Sequence, residues 1–229
     1  MTHFNFRDRS EAGRRLAEQL SLSPPEAGTV VLALPRGGIP VGFAIAERFR
    51  LPLEPLAVRK LGVPHFPEFA MGAIAAGGEY VLDREMVQRL RLSDAAVDAV
   101  IRRERAELAE RERRYRMSAP LASLTGRPLI VVDDGMATGS TMLAAITALR
   151  ALPSGPITVA VPVLAREARD KVAPLVRRVV WLACPDPFDS VGQWYQDFRQ
   201  LRDDEVVAQL SRAQRLPASG VSAGATSSH

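Results

Sequence analysis

The sequence predicts an α/β fold, a parallel sheet with helices on both faces. Short continuous apolar runs recur at 29–34, 129–132, 157–164 and 179–183. Such runs mark strands buried on both sides, as parallel strands are. Helix-period segments alternate with them, which gives the βαβ pattern. Clusters of Gly, Arg, Asp, Thr and Ser stand directly after strands, at 35–38, 59–62 and 133–141. Those are carboxyl ends of strands, where open parallel sheets bind ligands.

In chain order, Phe4 and Phe6 precede a helix over 8–20, with Asp8 and Glu11 spaced as a capping box. Residues 21–28 form a turn with two prolines, 29–34 the first strand and 41–49 its helix. A second strand at 53–58 ends in Arg59 and Lys60. The stretch 63–78, with Pro64, Pro67 and the pair Gly77-Gly78, reads as a loop, and 79–83 as a short strand. Residues 84–117 read as mostly helical, with Ile101, Leu108 and Tyr115 in one apolar stripe. Its arginines alternate with glutamates, which favours a salt-bridged or helix-packing face over a nucleic-acid patch. Strands at 157–164 and 179–183 follow, then a helix from about 191 and another over 203–210. Trp194, Phe198 and Leu201 fit the helical spacing of the former. One domain is expected over 1–212, with a disordered tail over 213–229 that is rich in Ser, Ala, Gly and Thr.

A length of 229 residues, 47% of them hydrophobic, suffices for one large core. The net charge of +4 suits anionic small molecules and argues only weakly for nucleic acid. Cys184 is the single cysteine, so neither an intrachain disulfide nor a cysteine metal cluster can form. Without an N-terminal apolar segment or a long apolar run, the expectation is a cytoplasmic protein with no membrane contact.

The most informative stretch is 129–141, LIVVDDGMATGST. A buried strand (129–132) ends at Asp133 and Asp134. Gly135, Met136, Ala137, Thr138, Gly139, Ser140 and Thr141 form a hydroxyl-rich turn, and an apolar helix follows. Backbone N–H groups and a helix N-terminus at one point suit a phosphate. The two acids suit sugar hydroxyls or a bridging Mg²⁺ one short turn away. The loop is not a Walker A sequence, since Ser140 stands where a lysine is needed, and it is not a dinucleotide fingerprint. An ordinary helix cap needs one such residue, whereas this loop has several.

The segment resembles the 5-phosphoribosyl 1-pyrophosphate (PRPP) loop of the type I phosphoribosyltransferases. The resemblance implies a Rossmann-like core with a small hood, over about 29–183. It also implies a Mg²⁺-dependent transfer of the phosphoribosyl group to a purine or pyrimidine base. Asp133 and Asp134 then hold the ribose hydroxyls, and metal mostly through them, while residues 135–141 wrap the 5′-phosphate. Arg36, Gly37 and Gly38 correspond to the pyrophosphate loop, which in this family sometimes carries a cis peptide. Arg59 and Lys60 are the further pyrophosphate contacts. The 63–78 segment corresponds to the mobile lid, where Glu68 or His65 is the candidate for proton transfer. Ala137 stands where some 6-oxopurine enzymes carry an acid, which argues against that acid/base in this chain.

The hood is expected from the N-terminal segment and 185–212, with Phe188, Trp194 and Tyr195 as candidates to stack on a base. Packing of the last helix is the competing role for these rings. A homodimer is compatible with the long helix. The alternative to an enzyme is a catalytically silent sensor of PRPP or a nucleotide, with nucleic acid or a protein as partner.

Overall fold

The structure, a computed structural model, describes residues 5–115 and 124–216. Phe4, residues 116–117 and the expected tail from 217 lie outside them. The five-stranded main sheet has the order β2-β1-β6-β7-β8, with every neighbouring pair parallel. Its strands are β1 (Val30–Ala33), β2 (Leu53–Pro55), β6 (Leu129–Val132), β7 (Ile157–Val163) and β8 (Arg178–Ala183). All residues of β1 and β6 are buried, as a sheet covered on both faces requires.

On one face, α1 (Arg9–Ser21), α2 (Gly38–Phe49) and α7 (Asp203–Ala213) pack over Val31, Ala33, Ile130 and Val132. On the other, α5 (Ser140–Arg150) and α6 (Arg166–Val172) cover Val30, Leu32, Val131 and Val159. Fully burying a Leu such as Leu16 or Leu20 of α1 is worth about 1.5–3 kcal/mol, so these stripes fix the helices in place. At the start of α1 the Asp8 carboxylate accepts the Glu11 N–H (2.8 Å). The Glu11 carboxylate reaches back to the Arg7 N–H (2.6 Å), one residue beyond the position that capping-box spacing predicts.

The chain runs from β1 outward to β2 and later returns to β6 on β1's other side. Open parallel sheets bind ligands at such a strand-order reversal, which here lies where the loops after β1 and β6 meet.

Several sequence expectations need correction. The strand expected at 53–58 is two strands, because the chain leaves the main sheet after Pro55. The 63–78 loop is instead most of an antiparallel ribbon, β3 (Val58–Val63), β4 (Phe66–Ala75) and β5 (Tyr80–Leu82). Pro67 is tolerated there because the β3–β4 pairing is irregular around Leu61–Val63, and Gly62 lets the Pro67 backbone approach closely. The long helix is divided into α3 (Arg84–Arg89) and α4 (Asp94–Tyr115), with Arg91 at φ 49° in the break. Ile101, Leu108 and Tyr115 are buried, as the stripe predicts.

No α-helix begins near 191. A 3₁₀ turn, Gly192–Trp194, leads into extended chain. The N–H groups of Gln196 and Asp197 donate to the carbonyls of Phe6 and Arg7 (2.8 and 2.9 Å), so they cannot close helical turns. The helix α7 runs through Ala213, which is buried. No described helix is long and apolar enough to cross a membrane.

Candidate functional site

Two loops meet at the crevice, and glycines allow it. A Cβ on Gly38 would lie 2.6 Å from the Val132 carbonyl oxygen and 3.1 Å from Asp133 Cα. A Cβ on Gly37 would lie 2.1 Å from Asp134 Oδ2. Only hydrogen fits at either place, so the loop after β1 rests directly on the acids after β6. The Pro35–Arg36 peptide bond, just before these glycines, is cis.

Asp133 and Asp134 stand side by side at the end of β6. The Asp134 N–H donates to Asp133 Oδ1 (2.9 Å). Burial, and then the adjacent Asp134 carboxylate, push the Asp133 carboxyl well above the usual carboxylate range. Asp134 is held on three sides. Arg9 Nε donates to its Oδ2 (2.7 Å), the Tyr195 hydroxyl donates to its carbonyl (2.6 Å), and Gly37 closes over the carboxylate. The Tyr195 phenol is itself raised by burial and by Asp134.

Beyond the acids, Gly135 lies so close to Val191 that a Cβ would come within 2.4 Å of its Cγ1. Gly139 sits at φ 77° as the N-cap of α5, a left-handed conformation that favours glycine. Thr138 Oγ1 lies 3.1 Å from Ser140 Oγ and accepts the Ser140 N–H at 3.3 Å. Ala137, Thr138, Ser140 and Thr141 are exposed. The first turn of α5 brings N–H groups that a helix cannot satisfy internally. A cup of N–H groups and hydroxyls, one turn from two carboxylates, can take an anion at one end and hydroxyl groups at the other.

Of the residues singled out in the sequence, Arg36, Gly37, Gly38, Asp133 and Asp134 share this crevice with the 135–141 loop. Met136 departs from its expected role. It is buried, its N–H donates to the Val163 carbonyl (2.9 Å), and its own carbonyl accepts from Ala165 (2.8 Å). Its backbone therefore pins the loop to β7 and has no N–H to offer a phosphate. Arg36 forms an ion pair with Asp203 at the start of α7 (3.6 Å). Asp203 also accepts from the Tyr115 hydroxyl (3.0 Å) and from Arg114 (3.3 Å).

Arg59 and Lys60 do not end a strand of the main sheet; they lie within β3. Arg59 turns to α4, where its Nε bonds the Glu104 carboxylate. Lys60 is on the opposite face, the one from which Val58 packs with α5 residues Ala144 and Ala148. His65 is exposed in the β3–β4 turn at φ 67°. Glu68 is on β4, and its side chain lies outside the described residues.

The aromatic candidates separate. Tyr195 is only 6% exposed and its ring lies against Phe6 (5.3 Å) and Phe198 (5.0 Å). It is a packing residue and has no face to offer a base. Trp194 is half-buried in the same cluster, with an indole N–H that is buried and finds no partner among the described residues. Phe188 packs against the core beneath α5 and α6. The N-terminal segment and the 185–202 stretch are joined by the Phe6–Tyr195 bridge and by the Phe6 N–H bond to the Trp194 carbonyl (2.8 Å).

Arg9 escaped the sequence reading. Its partner is 125 residues away, which no local pattern can show. One signal was present: Arg9 falls on the buried face of α1 with Ala12, Gly13, Leu16 and Leu20, and a cation in an apolar stripe needs a partner.

Comparison with known proteins places the chain in a family. A Mycobacterium tuberculosis protein, provisionally named a phosphoribosyl transferase, is 46% identical over 210 residues, which cover 92% of this chain and 47% of that protein. The chain thus spans about half the length of the curated relatives it matches. The crystal structure of TT1426 from Thermus thermophilus is 40% identical and superposes with a TM-score of 0.83, covering 91% of this chain and 98% of that one. A Neisseria gonorrhoeae protein crystallised with ppGpp shares the fold at 12% identity and a TM-score of 0.50, over 91% of this chain and 94% of that one. The family model of the phosphoribosyl transferase domain matches residues 6–182, and the chain belongs to that family.

Proposed function

We propose that this chain transfers the 5-phosphoribosyl group of PRPP to a purine or pyrimidine base and releases pyrophosphate. The observation that carries the reading is the adjacency of three features: the Asp133–Asp134 pair, the 137–141 cup at the N-terminus of α5, and the Arg36–Gly38 loop resting on the acids. The cup takes the 5′-phosphate, so binding energy far from the reacting carbon positions it. Asp133 and the remaining oxygen of Asp134 accept the ribose hydroxyls. The negative field of Asp133, the acid that Arg9 does not pair, stabilises positive charge growing at C1 as the bond to pyrophosphate breaks. The base nitrogen forms the new bond to C1, and pyrophosphate departs with the electron pair.

Gly37 and Gly38 let backbone approach the pyrophosphate, and Arg36 meets its charge by exchanging Asp203 for a phosphate oxygen. Lys60 supplies a second cation from β3. The region joining the N-terminal segment to 185–202 acts as the hood over the base.

Mg²⁺ fits this site only as an ion carried largely by the substrate. Among the described residues no group of three or more His, Cys, Asp or Glu is placed to hold a metal, and Asp134 is already paired with Arg9. When bound, the ion neutralises the pyrophosphate. Asp133 and the Asp134 oxygen that Arg9 leaves open would meet it mostly through the hydroxyls it touches.

The test is pyrophosphate release from PRPP across a panel of bases, for wild type and D133N. Release that requires one base and falls at least about 100-fold in D133N supports the reading. PRPP left intact by wild type with every base overturns the transferase and leaves the sensor.

A further inference from the structure

We infer that Arg9 is a positioning residue of the phosphoribosyl site, which fixes the Asp134 carboxylate and cancels its charge so that an anionic sugar phosphate meets one uncompensated acid instead of two. The inference rests on the phosphoribosyl reading above.

Arg9 is set to do this. It opens α1, directly after the Asp8 cap, and is 9% exposed. Its Nε donates to Asp134 Oδ2 at 2.7 Å, and a terminal nitrogen donates to the Arg199 carbonyl at 3.0 Å. Its guanidinium lies 4.0 Å from the centre of the Phe198 ring. Two hydrogen bonds and a ring face orient the group, a geometry that lysine matches only as a point charge.

The consequence falls on Asp134. Oδ2 is taken by Arg9, the carbonyl by the Tyr195 hydroxyl, and the N–H by Asp133, while Gly37 blocks movement toward the first loop. One orientation of the carboxylate remains. Without Arg9, two adjacent half-buried carboxylates would face a ligand that carries several negative charges, and the repulsion would be weakly screened. A cation placed behind one acid removes that conflict and leaves its second oxygen an acceptor. Arg9, Tyr195 and Phe198 all come from the N-terminal segment and the 185–202 stretch, so these segments build the ribose site as well as the hood.

The experiment compares wild type, R9M and R9K as full chains. Binding of PRPP and of inorganic phosphate is measured by calorimetry, and folding by thermal melting. R9M keeps the stem but not the charge. It is expected to weaken PRPP at least tenfold and leave inorganic phosphate, which meets only the 137–141 cup, within about threefold. R9K restores the charge and recovers most of the PRPP affinity.

If R9M binds PRPP as wild type does while folded, the inference fails. If R9M does not fold, R9K decides: loss of PRPP and phosphate in parallel marks a merely structural residue and overturns the inference. PRPP retained in R9K, together with PRPP affinity near that of wild type in a folded R9M/D134N double variant, where no Asp134 charge is left to cancel, supports it. If wild type binds no PRPP, the reading of the site has failed before Arg9 is in question.

Discussion

Replacing Gly37 with alanine probes the contact between the two loops. The backbone at Gly37 has φ −62° and ψ −36°, which any residue adopts, so conformational strain is not introduced. The added methyl would sit 2.1 Å from Asp134 Oδ2 and 2.4 Å from its Cγ. The carboxylate must therefore retreat by about 1 Å to reach a tolerable contact. It has little room, because Arg9 holds that same oxygen at 2.7 Å.

A misplacement of about 1 Å in a positioning group can cost about 100-fold in rate. Straining the buried ion pair costs about 1–2 kcal/mol, and the smaller unfolded-state entropy of alanine offsets about 0.4–1 kcal/mol of that. G37A is thus expected to melt within about 6 °C of wild type while kcat/KM for pyrophosphate release falls about 100-fold. Calorimetry with PRPP and a thermal melt, beside the release assay, measure each part. Wild-type PRPP affinity and turnover in a folded G37A would refute the argument that the two loops share the acid.

Asp133 gives a pH prediction. Its carboxyl is raised in the folded protein, so the stability tied to it is full below the ordinary carboxylate value and is lost as pH rises through the folded value. D133N removes that slope, so its melting temperature at pH 8 should equal or exceed that of wild type although its turnover is lost; a D133N that melts well below wild type contradicts this. Glu104 is 7% exposed at its side chain and takes both Arg59 and Arg103. E104A should cost about 2–3 kcal/mol in urea unfolding, because it leaves Arg59 half-buried without its partner. Its carboxyl is lowered by those arginines against the opposing effect of burial, so the stability it adds is present above the ordinary value and is lost as pH falls through the folded one. Y195F removes the donor to the Asp134 carbonyl and should lose about 1 kcal/mol of stability in the same measurement.

The parallel core was legible because strands buried on both faces must be apolar at every position, as Leu129–Val132 is. The acids and the 135–141 turn were legible because chemistry and chain direction coincide there: strand, carboxylates, glycine, hydroxyls, helix. The ribbon was not. Pro64, Pro67 and the pair Gly77-Gly78 carry the marks of a loop, and the pairing that makes strands of this segment is set by the irregular β3–β4 register and by α4 beneath it. Arg59 reads as a free cation until Glu104, 45 residues on, is seen to face it. Trp194 and Phe198 mimic a helical stripe because both enter the cluster of Phe6 and Tyr195, while the backbone between them bonds to the N-terminal segment. Non-local partners decide each of these cases, and they decide Arg9 most completely.

The most direct measurement is a crystal structure of the full chain with PRPP and Mg²⁺. The account predicts the 5′-phosphate against the backbone of 137–141, the ribose hydroxyls on Asp133 and on the oxygen of Asp134 that Arg9 leaves open, and the pyrophosphate beside Gly37 and Gly38. PRPP bound elsewhere, or with its ribose turned away from both acids, would contradict it.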